Sequence, residues 1–215
     1  MTARKTPRAD TRFRRLREKG SKDFDLACSI IDDANMGHVG FVADGLPYVI
    51  PMAVARDDRH LLLHGSRLSR VMKSLAEGLP CCVTITHLDG LVLARSAFNS
   101  SMNYRSVMVF GGASPVTDPD EKIRGLDLLT DHLLPGRRGD LREPTTKELN
   151  ATLLVKLLIE RFSVKVSEGP PEDPAADRDT PIWAGVVPLT LVKGTPQAAP
   201  DMPSGIPLPN YLRNA

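Results

Sequence analysis

Three tight-turn signals at short intervals constrain this chain most. Asp44-Gly45, Asp57-Asp58 and Asp89-Gly90 each separate apolar runs that are too short for helices. Asp-Gly between strand-like runs is the pattern of a two-residue hairpin, whose central residues need positive φ. The runs at 38–43, 48–55, 59–64, 81–88, 91–99, 104–113, 155–165 and 183–191 therefore read as strands. Strand following strand through short turns makes an antiparallel barrel or sandwich and excludes the alternating order of a parallel sheet. Helical spacing is confined to inserts at 24–35, 67–77, 118–133 and 146–153, with Asp23, Asp118-Pro119 and Thr145 as N-terminal caps and Gly78 closing the second. The expected class is mainly β with added helices.

With 215 residues, 41% hydrophobic and 25% charged, the chain can bury one substantial core. The first 22 residues form a basic arm without the apolar segment of a secretory signal. Residues 23–194 form the domain, and 195–215 make a Pro-rich tail. No window reaches the ~18 uninterrupted apolar residues of a membrane-spanning helix. Three cysteines, two of them adjacent (Cys81 and Cys82), fit no disulfide framework and point to a reducing, cytoplasmic setting. The histidines are scattered, so no zinc site is expected. A net charge of +2 gives no strong case for nucleic acid. Neither GxGxxG nor GxxxxGK[ST] occurs, which removes the commonest dinucleotide and NTP signatures.

Two segments carry polar chemistry beside strands. His64-Gly65-Ser66 leads into a helix with Ser69, Arg70 and Lys73. Hydroxyls, a helix start and a guanidinium suit a phosphate, which arginine can grip through two parallel hydrogen bonds. The plainer alternative is a serine cap with solvated bases. Tyr104-Arg105-Ser106 opens an apolar strand and would present its side chains to alternate faces. Tyr48-Val49-Ile50-Pro51-Met52 is an apolar strand that could lay its backbone along a flat ring, or simply be core. Trp183, the only tryptophan, could stack on a ligand or anchor an interface. No nucleophile–base–orienter set stands out, so the catalytic residues are left open. His64 and Tyr104 are the groups to test as proton donors.

In order along the chain, Gly37-His-Val-Gly-Phe-Val42, Gly45-Leu-Pro-Tyr-Val-Ile-Pro-Met52, His64-Gly-Ser66 with Ser69-Arg70, 88–96, Ser101-Met-Asn-Tyr-Arg-Ser-Val107 and Trp183-Ala-Gly-Val-Val-Pro188 resemble the pyridoxamine 5'-phosphate oxidase-like proteins. The similarity spans 24–191 and looks closest to the flavin-nucleotide-binding branch that includes nitroimidazole-reductase-like proteins. It implies a six-stranded antiparallel split β-barrel that forms a homodimer, with FMN in the groove between subunits. On that resemblance, Tyr48 to Met52 line the flavin ring, His64 to Ser66 begin the phosphate region, and Ser69-Arg70 match the family's Ser-Arg pair. Val71 stands where the oxidases have a lysine, with Lys73 as the substitute. Ser106 replaces a glutamine, and Trp183 matches a tryptophan that reaches the flavin of the second subunit. The arginine-bearing closing motif of the oxidases is missing, so oxidation of vitamin B6 is not expected. The expectation is a flavin-dependent oxidoreductase with an unknown small substrate. A flavin carrier or sensor, or a split barrel holding haem or a deazaflavin, is the alternative.

Overall fold

The computed structural model describes Thr11 and residues 17–213; most of the basic arm expected over 1–22 lies outside the described residues. Two antiparallel sheets enclose one core. The strands are β1 (Gly20–Ser21), β2 (Met36–Ala43), β3 (Leu46–Ala53), β4 (Ala55–Asp57), β5 (His60–Ser66), β6 (Pro80–Leu93), β7 (Ser101–Gly112), β8 (Ser114–Pro115), β9 (Thr152–Leu158), β10 (Arg161–Ser167) and β11 (Gly185–Pro188). The helices are α1 (Phe24–Asp32), α2 (Arg70–Ala76), α3 (Pro119–Leu133), α4 (Thr146–Ala151) and α5 (Asn210–Arg213). No helix among the described residues is long and apolar enough to cross a membrane.

The larger sheet runs β1-β10-β7-β6-β2-β3, with β11 added along the far half of β6. The smaller runs β4-β5-β9-β8. The chain passes between them at Val54, at Ala113 and at the Ile159-Glu160 turn, which makes a split barrel with helical additions. Alternation explains the core: Cys81, Val83 and Ile85 of β6 point inward with Val107 and Val109 of β7, and Leu61, Leu63, Val155 and Leu157 meet them from the smaller sheet. Helix α1 closes one end, with Phe24 set edge-on against Phe162 at 6.1 Å and Arg59 4.4 Å above the Phe24 ring.

Local signals explain most boundaries. Asp44 and Gly45 take φ of 53° and 77°, so the β2–β3 hairpin has the expected two-residue turn. Asp23 accepts the amides of Asp25 and Leu26, and Asp118 that of Glu121. Thr145 and Glu148 form a reciprocal capping box on α4. The structure differs from the sequence expectation in four places. Asp89-Gly90 is a bulge inside the continuous β6, not a hairpin turn. Helix α2 begins at Arg70 rather than at 67, because Ser69 and not Ser66 caps it. The run 155–165 is a hairpin of β9 and β10. Gly20 and Ser21, inside the stretch read as an arm, pair with Lys165 and Val164.

Candidate functional site

The edge strand β3 and the β5–α2 junction build one polar corner. The Asp44-Gly45 turn sets Phe41 opposite Tyr48, and their rings stack at 5.5 Å. The guanidinium of Arg70, the first residue of α2, lies 4.7 Å above the Tyr48 ring. A cation over a ring face is held by the ring quadrupole. Phe41, Tyr48 and Arg70 therefore form a layered shelf. Among the described residues, no carboxylate pairs with Arg70 or Lys73, so their charge remains open to an anion.

Close packing brings the two halves of the corner together. A Cβ on Gly65 would stand 3.0 Å from Met72 Cγ and 3.9 Å from Met52 Cε, so a bare backbone is what lets β5, α2 and β3 meet there. Ser66 Oγ accepts the Leu68 amide at 3.2 Å, and Ser69 Oγ accepts that of Met72 at 3.2 Å. Both hydroxyls keep a proton to donate. At seven residues α2 is too short to supply an anion site from its dipole; the side chains carry the argument. His64 is half-buried, and its Nδ1 is closed to solvent without a partner. Burial lowers its pKa, which favours the neutral imidazole.

Along β3, Val49 and Pro51 face outward and Ile50 is also exposed. As an edge strand, β3 leaves part of its backbone unpaired, and Pro51 removes one donor. Tyr104 and Ser106 lie on the outer face of β7 beside Leu88 and Thr86 of β6, and Ser106 Oγ approaches Lys165 O at 3.4 Å. Arg105 points to the opposite face. It bonds Asp89 through Nε and Nη2, both at 3.1 Å, and Asp33 through Nη1 at 2.7 Å. These pairs hold its pKa above the ordinary value, and Arg105 serves to brace the bulge against α1. Trp183 is 67% exposed, with its ring folded over Gly185 at the start of β11.

The structure thus gathers Tyr48, Met52, Gly65 and Arg70, with His64 next in the strand. Tyr104 and Ser106 stand away from that corner, on the outer sheet face that Val49 and Pro51 of β3 share, and Trp183 folds over Gly185. Sequence reasoning missed Phe41, although the register of a two-residue hairpin places residue 41 against 48. It also missed Arg95–Asp173, a pair at 2.9 Å whose carboxylate is 2% exposed and which ties the 168–180 loop to the loop after β6. Nothing local signals that pairing. Burial pushes the Cys81 thiol up to about 11, so it offers no thiolate. No group of three or more metal-ligating side chains occurs among the described residues.

Comparison with known proteins agrees with this architecture. A sequence profile described as pyridoxamine 5'-phosphate oxidase matches residues 24–166. The solved FAD and haem binding protein of Mycobacterium smegmatis is 43% identical, covering 91% of this chain and 96% of that one, with a TM-score of 0.87. The flavocytochrome Anf3 of Azotobacter vinelandii is 34% identical over 98% of each chain, with a TM-score of 0.90. A putative 5-nitroimidazole antibiotic resistance protein of Bacteroides thetaiotaomicron shares the fold at 24% identity, covering 68% of this chain and 86% of that one, with a TM-score of 0.57. No curated protein matches. With its profile match, its two full-length relatives and its split barrel, the chain belongs to the pyridoxamine 5'-phosphate oxidase family.

Proposed function

We propose that this chain is a flavin-binding oxidoreductase that works as a homodimer, with the flavin phosphate at the Arg70 corner and the ring along the β3 edge. The observation that carries the reading is the uncompensated Arg70 guanidinium fixed on Tyr48. A charge held in place and lacking a carboxylate is prepared for phosphate, with Ser66, Ser69 and Lys73 beside it. The sequence pattern alone suggests FMN. One relative above 30% identity is named for FAD, which carries the same first phosphate, and another is a flavocytochrome. The flavin supplies the redox chemistry when bound; the protein orients the ring, holds the phosphate and restricts water. The corner is an open shelf in a single chain, so a second copy serves as its lid. Free cysteines fit a reducing cytoplasm.

A second reading adds haem. His64 Nδ1 is buried and unpartnered, while Nε2 of His87 and of His132 is engaged with the carbonyl of Ile30 and of Ala34. Both high-identity relatives are named as haem or flavocytochrome proteins. A neutral, half-buried imidazole fits an iron ligand, and His64 is the residue that would hold it.

The test is the absorption spectrum and cofactor mass of the purified protein. Flavin bands with an FAD or FMN mass support the reading, and a Soret band that disappears in His64→Ala while the flavin stays supports haem. A colourless protein that takes up neither cofactor on addition overturns both. Anaerobic NADH or NADPH then separates reductase from carrier by bleaching of the flavin.

A further inference from the structure

The polar corner does not end at Arg70. Ser66, the last residue of β5, stands opposite Thr152, the first of β9. Facing residues of an antiparallel pair lie about 5 Å apart at Cα. The Thr152 carbonyl accepts the Lys122 ammonium of α3 at 2.6 Å, and the Leu149 carbonyl accepts it at the same distance. The Arg67 amide donates to Ala151 O at 2.9 Å. The turn from α4 into β9 thus holds Lys122 and roots Arg67 beside Ser66. Among the described residues, no carboxylate pairs with either side chain; Glu121 is taken by Lys156 and Glu148 by Arg142. Burial and the Arg67 charge both lower the Lys122 pKa, the mark of a second cation close by with no anion to offset it. Capping of α4 accounts for Lys122 alone; it does not account for an exposed, unpaired arginine set next to it.

Along the same helix, Ile123 and Leu126 join Leu141 and Pro144 in an apolar cleft of about 320 Å³ between α3 and α4. Leu126 follows Lys122 by one helical turn. Ligand sites begin at roughly this volume. The charged groups on the rim are paired, Asp127 with Arg138 and Glu148 with Arg142. We infer that Arg67 and Lys122 hold the second phosphate of a flavin dinucleotide whose adenine enters this cleft, so that the chain selects FAD over FMN. The inference rests on the flavin site proposed above and names its ligand. FMN ends at the phosphate assigned to Arg70. A dinucleotide brings one more phosphate and a purine, which need a further cation and an apolar slot. Arg70 turns toward Tyr48 of β3 and Arg67 toward Lys122 of α3, with Ser66 and Ser69 between them. The two arginines thus open on either side of the serines, as a diphosphate requires.

The experiment titrates the full-length apoprotein with FAD and with FMN and reads the quenching of flavin fluorescence. The wild type is expected to bind FAD roughly tenfold tighter than FMN or more. Arg67→Ala is expected to remove that preference and leave the FMN dissociation constant unchanged, and Arg67→Lys, which keeps the charge, to retain most of it. Leu141→Trp, which fills the cleft, is expected to weaken FAD alone. Arg70→Ala weakens both flavins together. Equal affinity of the wild type for the two flavins overturns the inference and leaves the flavin site standing. A preference for FAD that survives in Arg67→Ala overturns the placement of the second phosphate. A wild type that binds neither flavin overturns the site and the inference with it.

Discussion

At the scale of single residues, the decisive object is the Phe41–Tyr48–Arg70 stack, because it fixes a charge that would otherwise wander in solvent. The ring under Arg70 contributes about 0.5–1 kcal/mol. Tyr48→Leu is therefore expected to weaken flavin binding roughly two- to fivefold, and Tyr48→Phe, which keeps the ring, to leave it unchanged; equilibrium titration of the apoprotein reads both. His64 makes a second prediction through protonation. Its folded-state pKa lies below the ordinary imidazole value because burial disfavours the charge. The unfolded chain then takes up a proton that the folded chain does not. Stability is full above about pH 6.5 and falls as the pH drops below that value. Urea denaturation of the apoprotein at about pH 8 and about pH 5.5 should show this loss, and a smaller one in His64→Gln. Much of this scale was within reach of the sequence. Arg70 and Tyr48 stand in recognisable patterns, and the Asp44-Gly45 turn dictates that residue 41 faces 48. The partners of Arg105 were not, because Asp33 and Asp89 reach it only through the packing of α1 on β6 and β7.

Secondary-structure elements were legible where a local signal governs them and misread where a distant contact does. The caps of α1, α3 and α4 are side-chain oxygens a few residues from the amides they satisfy, and each helix begins where its cap predicts. Asp89-Gly90 carries the same local signal as a hairpin turn, yet β6 runs straight through it. Arg105 grips the Asp89 carboxylate, and β11 covers Gly90 so closely that a Cβ there would stand 3.1 Å from Val187 O. Neither contact can be inferred from the dipeptide. Close backbone approach makes a further prediction at Gly112, the last residue of β7. A Cβ would lie 2.5 Å from Gly78 O, in the turn that links α2 to β6. Backbone cannot swing away as a flexible side chain can. Gly112→Ala should cost about 1–3 kcal/mol and lower the thermal midpoint. Circular dichroism melting checks it, and an unchanged midpoint would show that the two backbones part readily.

At the scale of the whole molecule, the antiparallel class followed from turn spacing alone. The split between two sheets did not, because crossings at Val54 and Ala113 carry no turn signature. The same holds for the surface. Alternation along β6 and β7 shows which residues face out, but how far each is exposed is visible only in three dimensions. In the proposed function, a second copy of the chain completes the pocket over the open Arg70 corner. The account stands on one charge at one place in that pocket. The measurement that tests it most directly is the flavin dissociation constant of Arg70→Ala beside that of the wild type, each with its sedimentation recorded. Losing a charge-assisted phosphate contact of about 1.5–3 kcal/mol predicts an affinity roughly ten- to a hundredfold weaker with the dimer intact. Equal affinity in the two proteins would contradict the placement of the phosphate on Arg70.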